Sequence, residues 1–219
     1  MTFTIIGRDP GSGAIGVATA TGSIAVGAQV PHCRFGVGAV ATQGYSTNVL
    51  FARRGLPRLA QGESAPQVLR ALVAEDPGRD FRQLAVMDRS GGTAGWTGDG
   101  NSEVKGVREG DNWIVAGNIL TGTAVLDAMA RVYAAESAKP LAERLLEALA
   151  AGEAAGGDSR GTCSAALLVD SGQGAALNLR VDYDPHPITG LQALYERSKD
   201  PVYREFLERL PDEQDPGRR

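Results

Sequence analysis

Thr2 carries the chemistry that the sequence offers most directly. A small second residue is the condition under which methionine aminopeptidases remove Met1, and the new first residue would then hold a hydroxyl and an α-amine together. An α-amine titrates near ~7.7–8.0, so part of it is neutral at physiological pH and can take the hydroxyl proton directly or through one water. One residue would serve as nucleophile and base. The alternative reading keeps Met1 and makes Thr2 the ordinary start of an edge strand.

Other reactive groups are sparse. His32 and His186 are the only histidines, and both sit beside prolines in loop-like contexts, so a Ser-His-Asp triad would have to use one of them. Cys33 follows His32, but neighbours on a strand point to opposite faces, which argues against a Cys-His pair. Gly11-Ser12-Gly13-Ala14-Ile15-Gly16 spells GxGxxG. A strand-like run follows it where a dinucleotide site needs a helix, so a hairpin turn is expected. Asp158 and Arg160 lie in a glycine-rich loop, Gly156 to Gly161. There Arg160 could grip a substrate carboxylate through its planar fork, or pair with Asp158 and staple the loop.

The elements that must position these groups come in blocks. Val-, Ile- and Thr-rich runs at Thr2 to Gly7, Ile15 to Thr19, Ile24 to Val30 and Gly36 to Thr42 predict four strands separated by glycine turns. Leucines and valines at helical spacing then predict two helices, the second capped by Ser64 with Pro66 in its first turn. Strands are predicted again at Phe81 to Asp88, Gly92 to Thr97 and Trp113 to Ala116. Helices follow around Val125 to Tyr133 and Leu141 to Leu149, then a hairpin of Ser164 to Val169 and Ala175 to Val181, and a helix from Thr189 to Arg197. This order does not alternate as a doubly wound sheet does. It predicts an α+β fold, a four-layer αββα sandwich of two stacked antiparallel sheets with helix pairs on the outer faces. One domain over residues 1–210 and a charged, mobile tail over 211–219 are expected.

Composition narrows the function classes. The 219 residues carry 22 Lys and Arg against 26 Asp and Glu, a formal charge of −4 with no basic cluster, which excludes a nucleic-acid grip. No window reaches the ~18 apolar residues of a spanning helix, and the N-terminus lacks the basic and apolar regions of a signal peptide. Two cysteines make no disulfide scaffold and no metal cluster, so a reduced, cytoplasmic protein without metal or cofactor is expected.

Thr2 to Pro10, Gly36 to Gln43, Gly117-Asn118-Ile119-Leu120, Gly156 to Gly161 leading into Ser164 to Leu167, and Leu179-Arg180-Val181-Asp182 follow one another along the chain. In this order they resemble the DUF1028 family, uncharacterised bacterial proteins with a fold like that of the N-terminal-nucleophile (Ntn) hydrolases. The likeness spans about residues 2 to 195. It departs from the family's usual pattern at Thr4 and Ala116. The resemblance implies a nucleophile at the start of the first strand and backbone N–H groups near Gln43-Gly44-Tyr45 to hold an oxyanion. It further implies orienting residues near Thr19, Thr21 and Gln29; Asp or Lys, which a proteasome-like mechanism would use there, is missing. Asn118 could donate to the oxyanion or cap the next helix, and Asp182 could contact substrate or brace the turn that follows it.

The reading this supports is an Ntn-type hydrolase of a small amide or peptide, with Thr2, Gly44 and Asn118 catalytic and Gln43, Gln29, Asp158, Arg160 and Asp182 around the substrate. A non-catalytic metabolite-binding or assembly protein that retains the fold is the alternative. A homodimer is the expected assembly, with no nucleic-acid or membrane partner.

Overall fold

The computed structural model describes residues 2–135, 138–212 and 215–219. Ten strands form two antiparallel sheets. The first holds six strands in the order β10-β9-β2-β1-β8-β7, and the second holds four in the order β3-β4-β5-β6. The strands are β1 (Thr2–Arg8), β2 (Ile15–Thr21), β3 (Pro31–Arg34), β4 (Gly38–Gly44), β5 (Arg82–Asp88), β6 (Thr93–Thr97), β7 (Lys105–Gly110), β8 (Trp113–Asn118), β9 (Ser164–Asp170) and β10 (Leu177–Val181). Helices α1 (Leu50–Ala60) and α2 (Ala65–Glu75) cover the smaller sheet. Helices α3 (Ala124–Ala135), α4 (Leu141–Ala154) and α5 (Pro187–Ser198) cover the larger one, and α6 (Pro201–Glu208) follows near the end.

Strand alternation sorts the apolar side chains into three layers. On β1, Phe3 and Ile5 face outward and pack with Val125, Met129 and Tyr133 of α3 and with Leu145 and Leu149 of α4. Ile6 faces the other way, toward Ala39, Ala41, Ala85 and Met87 of the second sheet. Val40, Leu84 and Val86 leave that second sheet on its far side and meet Phe51, Leu59, Val68 and Leu72 of α1 and α2. The expected four layers are therefore present, and β1 lies inside the larger sheet between β2 and β8 rather than at an edge.

The local signals hold where the chemistry is local. Ser64 and Gln67 form a capping box at the start of α2, with Pro66 in the first turn. The Gly11–Gly13 segment is a hairpin turn in which the Asp9 carboxylate accepts from the Gly11 N–H at 2.9 Å and the Ser12 hydroxyl at 2.7 Å.

One expectation needs correction, and two elements were not expected. Ile24 to Val30 is not a strand. Ala25 takes a left-handed φ of 57°, a single 3-10 turn covers Val26–Ala28, and Val26 and Val30 both tuck between the sheets. The strand follows at Pro31–Arg34. Strand β7 escapes the pattern because it borders the sheet and carries Lys105, Arg108 and Glu109 in place of an apolar row. Helix α6 also lies outside the predicted elements, and it buries none of its side chains. In the tail, Arg218 pairs with Asp212 at 2.9 Å. No helix among the described residues is long and apolar enough to cross a membrane.

Close approach rather than turn geometry explains Gly7, on the helix-facing side of β1. A Cβ there would stand 2.6 Å from Cζ of Tyr133, whose ring is completely buried against the strand. Gly7→Ala should therefore lower stability by about 1–3 kcal/mol through overpacking. A urea-unfolding midpoint unchanged from the parent protein would contradict this account of how β1 is seated.

Candidate functional site

The inward-facing polar residues at one end of the sandwich form a single neutral network. Thr2, the first residue of β1, is 6% exposed, and its hydroxyl makes a long 3.3 Å contact to Thr21 Oγ1 on β2. One step inward, Thr4 shares a 2.7 Å bond with Thr19 and donates to Gln43 Oε1 at 2.6 Å. The Gln43 amide nitrogen turns to Gln83 Oε1 at 2.6 Å and to the Thr2 and Ala116 carbonyls at 3.3 Å each. Gln83 in turn donates to Thr97 Oγ1 and to the Gly117 carbonyl, both at 2.8 Å, and accepts from Asn118 Nδ2 at 2.9 Å. Hydroxyls and amides satisfy one another here without a formal charge, as buried polar groups must. Asn118 Oδ1 is the exception, since it accepts from no described residue.

Thr2 also lines a cleft of about 410 Å³, with Thr21, Gln29, Gly44, Tyr45 and Arg160 among its walls. Gly44 is where β4 must bend. Its φ is +129°, and a Cβ would fall 2.6 Å from the Phe81 carbonyl oxygen, so glycine is required both by conformation and by space. The wall that continues from it is pinned on several sides. Asn101 Oδ1 accepts from the Tyr45 N–H at 2.8 Å, Arg82 reaches the Ser46 carbonyl at 2.8 Å, and Asp76 accepts from Asn48 at 2.8 Å and from Arg82 at 3.0 Å. Burial opposes ionisation of Asp76, but the hydrogen bonds from Asn48, Gly78 and Arg82 win and hold its pKa below the usual value.

Opposite this wall stands the loop of Asp158 and Arg160. The Asp158 side chain is fully buried and accepts from the Gly22 N–H and from the Arg160 N–H, while the Arg160 guanidinium lies 3.3 Å from it and is 47% exposed. Asp158 thus staples the loop, and Arg160 keeps a face toward the cleft. Beside them Ile119 holds a φ of 52°, a left-handed conformation that a β-branched residue rarely adopts.

Of the residues singled out from the sequence, Thr2, Gly44, Gln29 and Arg160 meet around this cleft. Four others take different places. Gln43 is 1% exposed with both ends of its amide engaged, so it supports β1 from behind instead of touching a substrate. Asn118 does not cap α3, whose first turn is closed by the Thr123 carbonyl, and its donor is committed to Gln83. The Asp158 carboxylate is spent on the loop. Asp182 lies outside the cleft lining, where its carboxylate pairs with Arg180 at 2.8 Å and its carbonyl accepts from the Ala25 N–H at 2.9 Å. Met1, on whose removal the nucleophile depends, lies outside the described residues. His32 and Cys33 do not make a reactive pair. The His32 ring meets the Gln29 carbonyl, whereas the Cys33 thiol points toward the Ile15 and Leu168 carbonyls, and burial pushes its pKa up to about 12. Among the described residues no group of three or more His, Cys, Asp or Glu side chains could hold a metal ion.

Residues 2–191 match the model of the family of unknown function DUF1028. The chain belongs to that family. It is also similar to a solved structure, the crystal structure of protein SPO2555 from Silicibacter pomeroyi, which is assigned to DUF1028 as well. The two share 36% identity with a TM-score of 0.93, over 99% of this chain and 94% of the other. No curated protein matches the chain.

Within this DUF1028 chain the residue that sequence reasoning passed over is Gln83. Its signal was present, a glutamine at the head of the apolar run Leu84-Ala85-Val86-Met87, in the strand phase that faces the sheet interface. Replacing it with Leu would strand donors or acceptors on Gln43, Asn118 and Thr97 at once. The expected cost is about 3 kcal/mol or more, at roughly 1–3 kcal/mol per orphaned group. A Gln83→Leu protein as stable as the parent in urea would remove the network from its supporting role. Cys33, with roughly one thiol in ten thousand ionised at pH 8 for a pKa of about 12, should resist iodoacetamide in the native protein and react after unfolding. Rapid native alkylation of Cys33, located by peptide mass, would contradict this suppression of its thiolate.

Proposed function

We propose that this DUF1028 protein is a hydrolase of the Ntn type, cleaving the amide or peptide bond of a small substrate that carries a carboxylate. The observation that carries the reading is the position of Thr2, at the start of a central strand and lining a cleft where Arg160 is the one charged side chain among the described residues. The layered arrangement of the two sheets is compatible with Ntn architecture.

The chemistry follows from what stands near Thr2. The side chains hydrogen-bonded around it are neutral hydroxyls and amides, so the base must be its own α-amine, exposed by loss of Met1. Asn118 is the cross-strand partner of Thr2, and its unclaimed Oδ1 offers an acceptor to that amine in its protonated state. The Thr2 oxygen attacks the carbonyl carbon while its proton passes to the amine. The tetrahedral intermediate then collapses, the C–N bond breaks, and the leaving amine takes the proton. Water, deprotonated by the same amine, cleaves the resulting ester and returns Thr2. Backbone N–H groups in the Gly44 segment would stabilise the oxyanion, and Arg160 would hold the substrate's carboxylate.

The same neutrality favours a second reading if Met1 is retained. Without a base in reach, the cleft binds a metabolite and turns nothing over.

Intact mass of the untagged protein separates the two, because the hydrolase reading expects the loss of one methionine residue. The processed protein should be acylated once by a β-lactone probe, on Thr2. Thr2→Ser should keep part of this labelling, and Thr2→Ala should lose it while remaining folded. Labelling should rise with pH through about 7.7–8.0, because the free amine acts as base only when unprotonated. Retained Met1, or full labelling of Thr2→Ala, would overturn the hydrolase reading.

A further inference from the structure

The space between the sheets has a second opening, at the far end of the same strands. The inward row of β1 reads Thr2, Thr4, Ile6, Arg8, and that of β5 reads Gln83, Ala85, Met87, with Arg89 next in phase. On β8 the row is Asn118, Ala116, Ile114, with Asn112 in the turn before it. The interface is therefore polar at the Thr2 end and apolar in the middle, and at the other end it carries Arg8 and Arg89 together with Asp170, which closes the inward row of β9, and Glu109, which closes that of β7. A cavity of about 360 Å³ opens there between Arg8 from the larger sheet and Arg89 from the smaller one, with Phe35, Gly36 and Ser90 on its walls. It shares no lining residue with the Thr2 cleft.

We propose that this opening binds a phosphate group, held between the Arg8 and Arg89 guanidiniums. Among the described residues neither arginine has a carboxylate within 4.0 Å. Of the acids on adjoining turns, Asp111 beside Asn112 meets no described donor, and the others are occupied. Asp9 accepts from Gly11 and Ser12, Asp88 from the N–H groups of Ala65, Ser90 and Gly92, and Asp170 from those of Phe35 and Gly172. Arg8 is steadied by donating to Asn112 Oδ1 at 3.1 Å, which leaves the rest of its fork available. A planar carboxylate presents one edge to one fork, whereas a tetrahedral dianion can accept two forks together. Ser90 adds a hydroxyl that can donate to a further oxygen. The site is independent of the hydrolase reading.

Calorimetric titration of the full chain at constant ionic strength tests the proposal, with inorganic phosphate, glycerol 3-phosphate and acetate as probes. Saturable binding of one phosphate probe per chain is expected, at least tenfold tighter than acetate. A preference between inorganic phosphate and the ester identifies whether the free ion or a phosphorylated metabolite is the ligand. Arg89→Gln, at an exposed position where folding is not at stake, should weaken binding tenfold or more, as should Arg8→Gln. Arg53→Gln, on the exposed side of α1, should leave it unchanged. β-Lactone labelling of Thr2 should be the same in Arg89→Gln and in the parent protein. Absence of saturable binding, equal affinity for acetate, or an Arg89→Gln protein that binds as the parent does would overturn it.

Discussion

The bond between the side-chain amides of Gln43 and Gln83 is the contact on which the rest of the site depends. The two glutamines are register partners on neighbouring strands of the smaller sheet, and both extend across the interface to the larger one. Between them they meet the hydroxyl of Thr4, the amide of Asn118 and the carbonyls of Thr2, Ala116 and Gly117. Dispersion and hydrophobic burial hold two sheets together without choosing a register, because they are non-directional. Amides with several fixed partners do choose one, and they do so at the end of the interface where Thr2 begins its strand.

Small residues make that reach possible. Ala39, Ala41, Ala85, Ala116 and Ala166 fill much of the apolar stretch between the sheets, next to Ile6, Val17, Met87 and Ile114. With so many methyl-sized side chains the sheets lie close enough for a glutamine on one to reach the backbone of the other. Outside the sandwich the pattern reverses. Leucine, methionine and tyrosine side chains of α3 and α4 press on β1 and β2, and Gly7 admits the Tyr133 ring. Strand β1 is held from both faces and from both neighbours, so the residue at its head has little freedom to move.

The two ends of the sheet interface differ for a reason of the same kind. At the Thr2 end every inward-facing polar side chain among the described residues is neutral and, apart from Asn118 Oδ1, engaged, which makes a preorganised surface with low local charge. At the Arg8 end the interface carries the charges of Arg8, Arg89, Asp170 and Glu109 and adjoins glycines with positive φ at Gly13, Gly36 and Gly38. A buried charge without a partner costs far more than a buried amide, so guanidiniums can stand only where the interface opens.

By itself the sequence determined what local chemistry dictates: the strand and helix blocks, the capping box at Ser64, the hairpin at Gly11 to Gly13, and the family, through motifs in order. The order of the blocks, strands followed by helix pairs, was enough to imply two stacked sheets. Thr2 and Arg160 stood out by their own chemistry and Gly44 through the family resemblance, and all three line one cleft. What tertiary structure alone decided is which polar groups meet. Gln43 and Gln83 lie forty residues apart, and Asn118 and Asp182 looked as suited to a substrate as Gln29 did. Only the strand register turned Gln43 and Asn118 toward Gln83 and brought Arg8 and Arg89 to one opening, whereas Asp182 pairs locally with Arg180 two residues before it. Edge strand β7 was hidden because its charged row leaves no periodic trace, although it pairs with its hairpin neighbour β8, whereas the kink at Ala25 is set by a partner distant in sequence, the Asp182 carbonyl.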